Sequence, residues 1–351
     1  MPMPRTDSLN RQRQILAEII RYYLHNHEAI SARTLSKISR LRLSPTTIRN
    51  LMEDLSSEGF LTNEGVARGR IPTQKAFTIY VTQLRQEERP PEAQIKLPPR
   101  SDGDSTDLSA LLDEVGALLT SRTGYVALSS LPSRDHYPLD WVRLMPVPDN
   151  QVLVVMHSLL GDLWSRLLPT PEPLAGDVLK AVETHLCQTY RGISLERVRA
   201  DIMSGRGPLQ HIIGSTGMAY RVLRKAFEWE GRAELRVWHP VNLMRIEEFQ
   251  EPEMLEQVYA ALRDDQFLVK ALAGGDPVDA GRAVLGTNIG YAGMDHAAVV
   301  GFPFGPSSEW QGTLAVLGPM RMDYPLVIHL LKDCVELLNR RLRDIYARAA
   351  S

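Results

Sequence analysis

Leu43-Ser44-Pro45-Thr46-Thr47-Ile48-Arg49-Asn50-Leu51-Met52-Glu53-Asp54-Leu55 holds the strongest helix start in the chain. Ser44 is placed to cap the free N–H groups of a first turn, and Pro45 falls at the first helical position, where no N–H is missed. Ile48, Leu51, Met52 and Leu55 recur at the i, i+3, i+4, i+7 spacing of one buried stripe. That stripe turns Thr46, Thr47, Arg49, Asn50 and Glu53 outward. Gly59 suits the left-handed residue that ends such a helix.

Upstream, Ile15, Leu16, Ile19, Ile20, Tyr23 and Leu24 predict an amphipathic helix over Leu9–His25, with Ser8 as its cap and Arg11, Arg13 and Arg21 on its outer face. After a short turn at Glu28–Ile30, Ser31 caps a second helix that buries Leu35 and Ile38 and shows Arg33, Thr34 and Lys37. Two short helices joined by a tight turn, the second opening with small polar groups, Arg and Asn, form a helix-turn-helix. Arg49 can grip guanine and Asn50 adenine in bidentate pairs, and Thr46 and Thr47 can meet phosphate or a thymine methyl. Ser44, Arg33 and Lys37 complete the expected DNA contacts at the backbone. Downstream, Phe60–Glu64 reads as a strand, Gly65–Gly69 as a turn and Arg70-Ile71 as a returning strand. This ribbon is a wing whose Arg68 and Arg70 would hold phosphate or enter the minor groove. Thr73 caps a fourth helix burying Phe77, Tyr80, Val81 and Leu84. Exposed arginines on a helix-hairpin module are often only hydrated; the order of the elements and the capped Thr-Thr-x-Arg-Asn start favour DNA. Residues 1–86 are therefore expected to form a winged helix-turn-helix domain.

At 351 residues the chain exceeds the usual size of one hydrophobic core, so two or three domains are expected. The formal net charge of −2 divides unevenly: residues 1–89 hold 14 Lys+Arg against 9 Asp+Glu, and the remainder 26 against 33. A basic head on an acidic body is the asymmetry of a chain whose first part meets a polyanion. Cys187 and Cys334 are far apart and lack neighbours at ligand spacing, which argues against a disulfide framework or a zinc site. No apolar run reaches membrane length, and Met1–Ser8 lacks the order of a secretory signal, so a cytoplasmic location is expected. There is no Ser/His/Asp, Cys/His or metal constellation at useful spacing, and the expectation is a protein that is not an enzyme and has no cofactor.

Residues 87–106 are rich in Pro and charge and read as a tether. Beyond them a helix is expected at Leu108–Leu119 and strands at Tyr125–Leu128, Trp141–Val147, Val152–His157 and Leu163–Leu168. A helical stretch near Ala175–Trp229 precedes strands at Ala283–Thr287, Ala297–Phe302 and Thr313–Leu317. The pattern predicts an α+β sheet domain, residues 107–170 and 235–351, interrupted by a helix-rich insertion at 171–234. Gly205-Arg206-Gly207-Pro208 lacks the strand-before, helix-after setting of a phosphate loop. In Gly318-Pro319-Met320-Arg321-Met322-Asp323-Tyr324, Gly318-Pro319 stops the last strand, Asp323 caps the final helix and Arg321 pins the corner. A single recognition helix reads only a few base pairs, so a homodimer on an inverted repeat is expected.

The runs Ala32-Arg33-Thr34-Leu35, Leu43 to Leu55 and Gly69-Arg70-Ile71-Pro72-Thr73 closely resemble the N-terminal domain of the bacterial heat-inducible repressor family HrcA. Gly318–Tyr324 resembles that family's GPTRMDY signature, with Met320 in place of Thr. Ala32 stands where the family usually has Ser, Arg68 replaces a small residue, and Ala76-Phe77 replace a Gly-Tyr pair. The resemblance implies a GAF-like domain carrying an inserted dimerisation domain. It also implies a CIRCE-type inverted-repeat operator upstream of chaperone genes and regulation by a GroEL-type chaperonin. The alternative is a winged-helix regulator whose GAF-like domain senses a small-molecule effector.

Overall fold

The computed structural model describes residues 5–63, 69–84, 108–205, 217–229, 233–278, 281–306 and 310–350. The expected tether at 87–106 and Arg68 lie outside the described residues.

The chain opens with α1 (Arg5–Asn26), α2 (Ala32–Ile38), α3 (Pro45–Ser57), β1 (Leu61–Asn63), β2 (Arg70–Pro72) and α4 (Gln74–Gln83). Their apolar stripes meet in one core: Ile15, Ile19 and Ile20 of α1, Leu35 of α2, Ile48, Met52 and Leu55 of α3, Phe77 and Tyr80 of α4. Ser31 and Ser44 cap α2 and α3 as their sequence positions require, accepting from Thr34 and Thr47 N–H at 3.1 Å each. One expected core residue falls outside. Ile38 is 53% exposed, because Ser39 leaves the helix with extended backbone and Leu41 and Leu43 pack on the core in its place.

β1 and β2 pair antiparallel, with Asn63 opposite Arg70. The other side of β2 is bonded too: Arg70 N–H donates to the Ile30 carbonyl at 3.0 Å, and Ile30 N–H to the Arg70 carbonyl at 3.1 Å. The ribbon is thus stitched to the α1–α2 turn. Gly69 permits this approach, since a Cβ there would sit 2.5 Å from Ala29 Cβ.

The body comprises α5 (Leu108–Thr123), β3 (Val126–Leu131), β4 (Leu139–Val147), β5 (Gln151–Ser158), β6 (Leu163–Pro169), α6 (Gly176–Tyr190), α7 (Leu195–Ser204), α8 (Met218–Ala226) and β7 (Glu234–Trp238). It continues with α9 (Pro252–Ala261), α10 (Asp265–Ala273), β8 (Asp276–Val278), β9 (Gly281–Leu285), β10 (Ala297–Phe304), β11 (Gly312–Pro319) and α11 (Tyr324–Ala350). Six strands form one antiparallel sheet in the order β7-β3-β11-β10-β9-β8. Alternate residues supply opposite layers. Ala127, Val300, Phe302, Leu314 and Val316 join the core with α5 and α11, while Val126, Leu128, Val299, Ala315 and Leu317 join a second core with α9 and α10. Burial on both faces explains the nearly continuous apolar runs of β10 and β11.

β4, β5 and β6 do not enter that sheet. They form a separate three-stranded sheet, order β4-β5-β6, so of the four strands expected between 107 and 170 only β3 belongs to the body sheet. Alternation tells which face of a strand is buried, not which strand lies beside it. Val142, Val152, Val154 and Met156 are buried on one face of the small sheet. Helix α6 covers the outer edge of β4: Glu183 Oε2 accepts from Leu144 N–H at 3.3 Å, and Cys187 Sγ accepts from Val142 N–H at 3.4 Å. Burial alone pushes the Glu183 carboxyl up, but hydrogen bonds from Lys180, Arg143 and Leu144 N–H together hold it below its ordinary range. The other face carries three cross-strand rows: Trp141, His157 and Leu163; Arg143, Val155 and Ser165; Met145, Leu153 and Leu167. Leu163 is 61% and Leu167 53% exposed there.

Head and body share a continuous core, in which the Phe77 ring lies 6.3 Å from that of Tyr324 at the start of α11. No described helix is long and apolar enough to cross a membrane.

Candidate nucleic-acid interface

The Ile48, Met52 and Leu55 seam holds α3 down, so the residues between these anchors face outward. Thr46, Thr47, Arg49 and Asn50 are all exposed. The Arg49 and Asn50 side chains make no hydrogen bond or ion pair to another described residue, and neither does the Thr46 hydroxyl. Thr47 is partly engaged, its Oγ1 lying 2.8 Å from Ser44 Oγ within the cap. The expected Ser44 contact to DNA therefore competes with its capping role; the side chain is exposed but already accepts from Thr47 N–H.

Neither α2 nor α3 has an acidic residue in its first turn. Acidic side chains usually stabilise that end, and without them the partial positive charge of the exposed N–H groups stays available to an anion. Glu53 and Asp54 come a turn later. On α2, Arg33 and Lys37 are exposed, four residues apart and so on one face. Arg70 is half-buried, and its guanidinium donates to Asn63 Oδ1 at 2.5 Å across the ribbon, so this expected contact is already committed to the wing's own rung. Sequence reasoning passed over Arg42. It is exposed, has a left-handed φ of 49° and stands two residues before the α3 cap, adding a cation beside that helix end. Its signal was present in the sequence as an arginine inside the turn. Lys75 supports the far end of α3, donating to the Glu58 carbonyl at 2.8 Å and resting 4.3 Å from the Phe60 ring centroid.

In the body, Arg321 does pin its corner. It donates to Glu248 Oε2 at 2.9 Å and Glu247 Oε2 at 3.4 Å, and its Nη1 also reaches His27 Nδ1 of the head at 2.7 Å. Asp323 Oδ1 accepts from Leu326 N–H at 3.1 Å as a cap for α11. A depression of about 580 Å³ is lined by Arg199, Met203, Phe227, Glu228 and Trp229, among the α6–α8 helices rather than at the six-stranded sheet. Among the described residues no three metal-capable side chains converge.

The fold and the exposed cationic helix start define an α+β chain with a small basic helical head on a layered body. The sequence profile described as "HrcA protein C terminal domain" matches residues 109–328, well over half of the chain. The chain belongs to the HrcA family. It is 26% identical over 340 residues to the heat-inducible transcription repressor HrcA of Desulforudis audaxviator (strain MP104C), covering 96% of this chain and 98% of that one. It is 22% identical over 344 residues to the protein of the same name from Pelotomaculum thermopropionicum, with 97% of each chain covered. A crystal structure at 2.2 Å resolution, described as that of a hypothetical protein, has a similar fold: TM-score 0.60, 20% identity, covering 95% of this chain and 97% of that one.

Proposed function

We propose that this chain represses heat-inducible chaperone genes by binding an inverted-repeat operator, of the CIRCE type, as a homodimer. The observation that carries the reading is the capped start of α3, where Thr46, Arg49 and Asn50 are exposed, their side chains without a partner among the described residues, above a buried seam. Residues 1–86 act as a winged helix-turn-helix. Arg49 and Asn50 read base edges, Thr46, Arg33, Lys37 and Arg42 hold phosphate, and the ribbon flanks the groove. Bound over a promoter, the dimer blocks transcription.

The six-stranded sheet with α5, α9, α10 and α11 is the GAF-like domain, and the segment between β3 and β7 is the inserted dimerisation domain. The insert thus begins near residue 132, and the small sheet belongs with α6–α8. The face bearing Trp141, Met145, Leu153, Val155, Leu163 and Leu167 is the self-association surface, since a second copy gives these side chains the cover that α6–α8 provide on the opposite face.

The same reading includes a GroEL-type chaperonin that maintains the active fold. Where the active fold depends on free chaperonin, clients that occupy the chaperonin lower active repressor by mass action.

The test is a gel-shift titration of the purified chain against an intact and a scrambled inverted repeat at fixed salt. The intact repeat should bind at least about 1,000-fold tighter. Equal affinity for both overturns the reading.

A further inference from the structure

Gln74, the first residue of α4, reaches out of the head into the body. Its Nε2 donates to the Leu285 carbonyl at 2.8 Å, and its Oε1 accepts from both the N–H and the hydroxyl of Thr287 at 3.1 Å each. Both ends of one side-chain amide are thus satisfied by the last residue of β9 and the turn that follows it. Gly286, between the two partners, has φ +52° and leaves the space: a Cβ there would lie 2.4 Å from Gln74 Oε1. The arrangement is a socket shaped for this amide.

Two other contacts fix the head at separate points, Phe77 against Tyr324 and His27 against Arg321. Three points of attachment determine the orientation of a rigid body. The socket also connects directly to the DNA-facing helix. Thr73, adjacent to Gln74, donates its hydroxyl to the Gly59 carbonyl at 2.8 Å, immediately beyond the end of α3, and caps α4. Short hydrogen-bonded steps therefore run from Leu285–Thr287 through Gln74 and Thr73 to α3.

We propose that Gln74 is a positioning residue for operator recognition: seated in the Leu285–Thr287 socket, it sets the direction in which each head presents α3, and so the half-site spacing that a dimer accepts. The proposal rests on the dimeric operator reading above. Bivalent binding is strong only where both heads reach their half-sites together, so fixed heads favour one spacing and freed heads tolerate several.

The experiment titrates the full chain, Gln74→Ala and Gly286→Ala against inverted repeats whose spacer changes one base pair at a time, and follows Thr287 amide exchange without DNA. The wild-type chain should show one sharp optimum. Both variants should lose about tenfold at that optimum, lose less or gain at neighbouring spacers, and exchange Thr287 N–H faster while core amides of β10 and α5 stay protected. Because Gly286→Ala blocks the socket from the body side, agreement between the two variants separates head orientation from a local change in α4. A Gln74→Ala spacer profile that superimposes on wild type, or an unchanged Thr287 exchange rate, overturns the proposal. A wild-type chain that prefers no inverted repeat overturns the operator reading and this inference with it, whatever Thr287 does.

Discussion

Replacing Arg49 with Ala separates base reading from everything else that α3 does. The side chain is exposed, makes no hydrogen bond or ion pair to another described residue and lies outside the Ile48, Met52 and Leu55 seam. Its removal should leave folding stability within about 0.5 kcal/mol of wild type, the usual range for such surface positions. A bidentate arginine–guanine pair contributes about 1–3 kcal/mol of discrimination, and a two-fold dimer uses it twice, so operator preference should fall by about 2–6 kcal/mol. That range corresponds to about 30-fold to 20,000-fold. Fluorescence anisotropy with the intact and the scrambled repeat, at two or more salt concentrations, measures it. Affinity for the scrambled repeat should change by only the one charge lost per chain, about 0.9 in the salt slope for each phosphate contact that Arg49 also makes. Equal loss on both sequences would show that Arg49 is a phosphate clamp, and the base-reading argument would fail.

Three further outcomes follow from the geometry. Gly69→Ala forces a methyl against Ala29 and should cost about 1–3 kcal/mol in denaturant titration; a loss under about 0.5 kcal/mol refutes the close approach of ribbon and turn. Burial, then the adjacent Arg321 guanidinium, lowers the His27 pKa from its ordinary 6.5, with Glu248 and Glu247 pulling upward and His25 downward. The unfolded chain then takes up this proton first, so stability should drop as pH falls below about 6.5 and level off once the folded His27 also protonates. His27→Asn keeps an acceptor and tolerates the φ of +58°; thermal midpoints across this range should fall less steeply than in wild type, and an identical slope disproves the linkage. Leu163→Glu combined with Leu167→Glu should weaken self-association more than about 100-fold in sedimentation experiments, and an undisturbed dimer places the interface elsewhere.

The head was legible because its signals are local. Ser44 and Pro45 open the helix within one turn of Ile48, the cap is satisfied by Thr47 three residues on, and the Ile48, Met52 and Leu55 spacing marks the buried face without reference to what covers it. Ile38 was misread because it is the last residue of α2, where helical spacing no longer governs direction. The membership of β4–β6 escaped for a different reason: their alternation is the same whether they extend a large sheet or make a small one. The head–body joint was beyond local reading. Gln74 and Leu285 are 211 residues apart, and a glutamine opening a helix carries no mark distinguishing a socketed amide from a solvated one. Arg321 was recognisable as a corner residue, but His27, 294 positions away, was not recognisable as its partner.

Helix α6 closes one rim of the small sheet. Cys187 and Glu183 already occupy the outward N–H groups of Val142 and Leu144, so no further strand can line up beside β4. A ribbon extendable on both sides can stack without limit into filaments, and closing the β4 rim removes one of the two sides that such stacking needs. An approaching strand therefore finds the Val142 and Leu144 N–H groups already taken, and edge-to-edge growth from the β4 side is blocked.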